Sequence, residues 1–350
     1  MKTLTITLHS IDNCGSCLQA YALQQFLIQN GIDNEIIDYR PAYGRNNGRP
    51  VKHLIKKLVF GRAMKRHWEV FHGFVQNYLK MTGRTYYRYS ELEQADLAAD
   101  VFITGSDQVW NDSFPCGRDD AFYLKFVKEG KKISYAASVG HVLHSQEEIS
   151  TLCGKLQEFD AISVREQSSA DMLNKAGVCA QTVCDPVLLH DREFYETMLK
   201  PNELGDYILV YLIPKSELLN QVLAKIKAEY DCKVVYVGSF LNHCECDINL
   251  TDVGPKEFLN LIAHAKYIIA GSFHATVFSC IFHKEFVTLP YANNARMKEF
   301  LEQVGLRERF IETAGQSAVQ EIEWERMESV IWEIREKSQR WIQKVIGKME

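Results

Sequence analysis

The chain has 350 residues, more than one hydrophobic core of ordinary size accommodates, so two α/β domains are expected. Hydrophobic residues make up 46% and charged residues 24%, the balance of a folded globular protein. A formal net charge of -5 excludes general attraction to nucleic acid or acidic lipid, and any anion site must be local. Met1 to His9 reads as a strand rather than a secretory leader, and no run is apolar enough to cross a membrane. The 10 cysteines are scattered as reduced thiols would be. A cytoplasmic protein is the expectation.

Strands and helices alternate from the start. Leu4 to Leu8 reads as a strand, followed by the turn Asn13-Cys14-Gly15-Ser16 with serine as the expected cap. Leu18 to Gln29 is a helix closed by Gly31, and Glu35 to Tyr39 is the next strand. Further strands are expected at Val101–Thr104, Ile133–Ala137, Ala161–Val164 and Gln181–Cys184. After a break near Leu188 to Asp206, a second set begins with a strand at Tyr207–Tyr211, a helix from Leu218 to Glu229 and a strand at Lys233–Val237. A helix opening at Pro255 and strands at Tyr267–Ala270 and Phe286–Leu289 complete it. Such alternation implies parallel sheets covered by helices: two Rossmann-like domains, 1–190 and 206–315, facing each other across a cleft.

Two segments stand outside this pattern. Arg45 to Arg66 is rich in Lys and Arg, contains no acidic residue, and has Leu54, Leu58, Val59 and Met64 interleaved, with Trp68 just beyond. This basic insertion, near 45–68, fits either peripheral contact with a membrane face or a solvated helical excursion. At the other end, Met327, Ile331, Ile334, Ser338, Trp341 and Val345 recur at three- and four-residue spacing, which predicts one long amphipathic helix within 316–350.

The candidate chemistry lies where strands run into helices. In Lys266 to Phe278 an apolar strand meets Gly271-Ser272-Phe273-His274 and then a helix. Ligands of open α/β sheets bind at such carboxyl ends, and the helix N-terminus favours an anion. An imidazole there can donate to that anion or move a proton, and His274 is equally readable as a core histidine. Gly105-Ser106-Asp107-Gln108-Val109-Trp110-Asn111 follows a strand in the same way. Its small residues allow close approach, Asp107, Gln108 and Asn111 offer hydrogen-bond donors and acceptors, and Trp110 offers an aromatic face. The alternative is an Asx-capped turn with a packed tryptophan. Asn13, Gly15 and Ser16 form a similar turn. His243, Cys244, Cys246 and His264 lack zinc spacing, and no metal site is expected.

Several ordered segments together resemble the polysaccharide pyruvyl transferase family. They are Asn13 to Gln24 with Ile37-Asp38-Tyr39-Arg40-Pro41, Phe102 to Asn111, Ser134 to Gly140, Ile162 to Glu166, Asp185 to Leu189, and Ser272-Phe273-His274. The resemblance implies a GT-B-like pair of Rossmann domains that moves a pyruvyl group from phosphoenolpyruvate to a hexose of a bacterial surface polysaccharide, such as a capsule or exopolysaccharide, forming a ketal. It implies phosphoenolpyruvate as co-substrate without a resident cofactor, with a divalent ion on the donor phosphate left open. The other partner is a sugar or lipid-linked oligosaccharide, and nucleic acid is not one. Arg165 and His274 match positions in the donor site of relatives. Many relatives have Arg-Leu-His where this chain has Ser272-Phe273-His274, which makes Arg296 the candidate replacement cation and Ser272 a hydroxyl contact or helix cap. The resulting expectation is His274 and Asp107 as catalytic, Arg165, Ser272, His274 and Arg296 on the donor, and Asn13, Gly15, Ser16, Ser106, Asp107, Gln108, Trp110 and Asn111 on the acceptor. A nucleotide-sugar-dependent glycosyltransferase and a non-catalytic glycan-binding protein are the alternative readings.

Overall fold

The computed structural model describes residues 1–44, 50–141, 143, 145–238, 243–290, 295–316 and 321–347, with side chains in the helix beginning at Pro50 described from residue 61 onward. Strands β1 to β7 are Lys2–Ile6, Asp33–Tyr39, Met81–Tyr86, Val101–Thr104, Lys131–Ala137, Ala161–Val164 and Ala180–Thr182. They form one sheet in the order β3-β2-β1-β4-β5-β6-β7, and every pairing is parallel. Strands β8 to β12 are Tyr207–Tyr211, Lys233–Val237, Ile248–Leu250, Tyr267–Ala270 and Phe286–Thr288. These form a second parallel sheet, β10-β9-β8-β11-β12.

The connecting helices are α1 (Cys14–Gln29), α2 (Pro50–Tyr78), α3 (Tyr89–Glu93), α4 (Gln146–Leu156), α5 (Gln167–Lys175) and α6 (Arg192–Glu196). They continue as α7 (Glu217–Glu229), α8 (Pro255–His264), α9 (Phe273–Ile281), α10 (Ala295–Gln303) and α11 (Trp324–Val345). The chain divides into two compact units: Met1–Pro50 with His72–His190 and Trp332–Glu350, and Val51–Phe71 with Asp191–Ile331. Of the basic segment, Arg45 and Arg49 lie outside the described residues, as do the side chains of Lys52, Lys56 and Lys57. Arg66 pairs with Asp252 at 3.1 Å, and Trp68 is 54% exposed.

Burial explains why these segments became strands. All four residues of β4 and all five of β8 are buried, as in parallel sheets covered on both faces. The first unit packs Ile6, Phe102, Val164, Leu173 and their neighbours into one core; the second packs Val210, Leu219, Tyr236 and Ile269 into its own. Helix α1 buries residues around most of its circumference, so it is a core helix rather than an amphipathic one. Its Asn13 carbonyl oxygen and side chain both serve the first turn, the side chain accepting from Ser16 N at 3.1 Å. The cap is therefore Asn13, and Ser16 lies inside the helix. Helix α11 spans the expected amphipathic repeat, and its Ser338 hydroxyl accepts from Cys184 N at 2.8 Å.

Candidate functional site

Each sheet has one place where the strand order reverses, and ligands of doubly wound sheets bind outside the carboxyl ends there. In the first sheet this point lies between β1 and β4; in the second, between β8 and β11. The polar turns singled out above occupy both points.

At the first point, Ser16 of α1 donates its hydroxyl to Asp107 Oδ2 in the turn after β4. Asp107 adopts φ 72°, a left-handed conformation that aspartate tolerates better than most side chains. Its Oδ1 accepts from Gln108 N at 2.8 Å. Ser106 N donates to Gln19 Oε1 at 3.2 Å, while Gln19 Nε2 donates to Thr7 Oγ1 and to the Ser16 carbonyl at 2.8 and 2.9 Å. One buried glutamine thus ties β1, α1 and the Ser106 turn together. Asn111 Nδ2 donates to Gln108 Oε1 at 2.7 Å, and Asn111 Oδ1 accepts from Ser113 N at 3.0 Å. Gly140 packs on this pair: a Cβ there would come within 2.3 Å of Asn111 Nδ2 and 2.6 Å of Gln108 Oε1. Gly15 sits buried in the first turn of α1.

Trp110 belongs elsewhere. It is 1% exposed, stacks on Tyr123 at 6.1 Å, meets Phe159 edge-on, and donates its indole N–H to the Phe122 carbonyl at 3.1 Å. Its faces are spent on the core, so the expected stacking on a sugar ring is corrected to a packing role.

The carboxyl end of β6 carries Arg165 and Glu166, both buried. Arg165 Nη1 donates to Asp185 Oδ2 at 2.6 Å, and its Nε lies 3.4 Å from Glu166 Oε1. Burial alone would favour the neutral guanidine, but Asp185, Glu166 and Asp107 hold the group firmly cationic. In this arrangement the guanidinium serves two carboxylates, Asp185 and Glu166. Asp185 also caps the short turn after β7 through Val187 N at 3.1 Å. Glu166 Oε1 accepts from Ser138 Oγ at 2.5 Å, and Ser138 N donates to the Asp107 carbonyl at 2.9 Å. Ser138 is thus the bridge from Glu166 to the Asp107 turn.

At the second point, Ser272 is the N-cap of α9, accepting from Ala275 N at 3.2 Å. Gly271 leaves room for the neighbouring turn, since a Cβ there would come within 2.5 Å of the Leu212 carbonyl oxygen. His274 is buried in the first turn of α9, its ring perpendicular to Phe273 at 5.3 Å. The Arg296 guanidinium lies over the other part of the same cluster, 5.9 Å from the Phe273 ring centre. Asn293 and Asn294 of the same motif lie outside the described residues. The second unit also has a cavity of about 690 Å³ lined by Lys215, Lys227, His243 and Glu245, which contains none of these groups.

Gln19, Ser138 and Glu166 were not predicted as site residues. A buried glutamine inside an apolar helix was the signal for Gln19; Glu166 gave none, because an acid after an arginine reads as a surface pair. Among the described residues, no group of three His, Cys, Asp or Glu side chains is placed to hold a metal ion, and no helix is long and apolar enough to cross a membrane.

Two Rossmann-like parallel sheets, each with a polar turn at its reversal point, place the protein in the GT-B class of folds. Within that class the chain belongs to the polysaccharide pyruvyl transferase family, whose model matches residues 13–293. No curated protein matches the sequence significantly. Among solved structures, the chain is similar to the UDP-GlcNAc 2-epimerase of Methanocaldococcus jannaschii, with TM-score 0.52 and 13% identity over 99% of each chain. It is also similar to Staphylococcus aureus MnaA with UDP, with TM-score 0.54 and 12% identity over 99% of this chain and 97% of that one. At such identities the likeness is one of fold alone.

Proposed function

We propose that the protein transfers a pyruvyl group from phosphoenolpyruvate to two hydroxyls of a hexose in a bacterial surface polysaccharide, forming a cyclic ketal. The observation that carries this reading is the position of His274: a buried imidazole in the first turn of α9, at the reversal point of its sheet, with the Arg296 cation beside the same aromatic. Helix N–H groups, a cation and an imidazole make a site for a phosphate-bearing anion. Family membership supplies the transferase chemistry.

The reaction needs a proton at the donor methylene carbon while a sugar oxygen bonds to the adjacent carbon. His274 delivers that proton, and Asp107 accepts the one leaving the hydroxyl. Phosphate then departs with the electron pair of its C–O bond. The second hydroxyl closes the ring and gives up its proton to the phosphate or a neighbouring base. Ser16 and the Gln108 N–H hold the Asp107 carboxylate in one orientation beforehand, which lowers the cost of positioning it in the transition state.

In this reading Arg296 replaces the arginine that many relatives have at the position of Ser272, while Arg165 fixes the acidic groups of the first unit. A lipid-linked oligosaccharide as acceptor is consistent with the basic segment beginning at Arg45, which would favour an anionic lipid surface. The test is incubation with isotopically labelled phosphoenolpyruvate and a panel of glycans, beside parallel reactions with nucleotide sugars. Label in a glycan ketal supports the proposal. Sugar transfer without pyruvate incorporation replaces it with a nucleotide-sugar-dependent glycosyltransferase.

A further inference from the structure

We infer that Glu166 is an acceptor-binding residue whose Oε2 receives a hydroxyl of the sugar. Glu166 is buried, with 5% of the residue surface exposed. The two oxygens are treated unequally. Oε1 accepts from Ser138 Oγ at 2.5 Å and faces Arg165 Nε at 3.4 Å. Oε2 is sheltered from solvent and has no hydrogen-bond partner among the described residues. A buried acceptor left so is costly unless a ligand or a water supplies the missing donor.

Charge decides what that ligand is. Arg165 is paired with Asp185 as well as Glu166, so among these three groups one guanidinium faces two carboxylates. Asp107 adds a third acid within electrostatic reach of Arg165. Such a place repels a phosphate or carboxylate and suits an uncharged O–H donor. A sugar hydroxyl fits, and a low-dielectric setting strengthens the hydrogen bond it makes. Position supports the same assignment, because Ser138 joins Glu166 to the Asp107 turn through bonds of 2.5 and 2.9 Å. Asp107 already receives protein donors on both oxygens, whereas Glu166 has one oxygen in reserve.

This inference rests on the reading of the first unit as the acceptor side, so the test measures sugar binding separately from pyruvyl transfer. Binding of a panel of methyl hexopyranosides to the full chain is followed by ligand-observed NMR, without donor. The wild type is expected to bind at least one, and Glu166→Gln to weaken that sugar tenfold or more while keeping phosphoenolpyruvate affinity within twofold. Glu166→Asp, which retains the charge but withdraws the oxygens by one methylene, is expected to lose less. That variant decides the matter if the glutamine variant does not fold. Loss of sugar binding in the variants without any pyruvyl transfer by the wild type overturns the donor proposal and supports this one. Unchanged sugar affinity in Glu166→Gln, or a wild type that binds none of the panel, overturns it and leaves Oε2 to an internal water.

Discussion

The Ser16 hydroxyl donates to the Asp107 carboxylate, joining the first turn of α1 to the turn after β4 across the reversal point of the seven-stranded sheet. Two segments 91 residues apart are thereby fixed to each other. Ser16→Ala removes a buried bond to an ionised group, and about 1.5–3 kcal/mol of stability should go with it. Asp107→Asn should keep most of the fold and lower pyruvyl transfer by roughly 100-fold, within the span ordinary for general acid–base groups. Denaturant midpoints and initial rates of both variants check the pair. A Ser16→Ala protein as stable as wild type would show that the contact contributes nothing.

Arg165 and Asp185 form a buried ion pair at 2.6 Å. Removing one partner strands the other, a loss of about 3–5 kcal/mol in buried pairs. Arg165→Ala should therefore unfold at markedly lower denaturant than wild type, with Asp185→Asn intermediate because its amide oxygen still accepts. If Arg165→Ala were stable yet bound phosphoenolpyruvate far more weakly, the guanidinium would belong to the donor after all.

Gly271 approaches the Leu212 backbone so closely that a methyl group has no room. Gly271→Ala should cost about 1–3 kcal/mol by overpacking and displace the turn that carries Ser272 and His274. Donor affinity measured by calorimetry should fall with stability. Normal affinity in that variant would detach the turn from donor binding.

The acid limb of stability has a specific contributor in Asp38. Burial pushes its carboxyl upward, but hydrogen bonds from His9, Arg40 and Thr85 prevail and hold it well below the usual carboxylate range. A depressed folded-state pKa gives stability that is fully present above the unfolded value, about 3.9, and is lost as pH falls toward the folded one. Asp38→Asn should thus be less stable than wild type at neutral pH, with the gap narrowing below about pH 4. Thermal melts between about pH 2.5 and about pH 7 check the sign. A gap that widens on acidification contradicts it.

Most strands were legible because parallel strands buried on both faces leave short continuous apolar runs, as in Val101–Thr104 and Tyr207–Tyr211. Met81–Tyr86 and Ile248–Leu250 escaped notice for the opposite reason. Both are edge strands, one half-exposed with Gly83 inside it and the other only three residues long. The polar turns at the two reversal points were legible as glycine followed by hydrogen-bonding side chains. Roles inside them were less so. Local sequence does not distinguish a tryptophan that meets a ligand from one stacked on Tyr123, and Arg165 gave no sign of Asp185, 20 residues away. Glu166 acquires its meaning from Ser138, which only the sheet brings alongside.

The central claim is that His274 serves a phosphoenolpyruvate-dependent transfer, and labelled-donor incorporation by wild type and His274→Ala tests it most directly. The account predicts ketal label in a hexose-containing glycan for the wild type and a fall of about 100- to 10,000-fold for the variant. Undiminished incorporation by His274→Ala, or glycan modification by the wild type that carries no label, would contradict it.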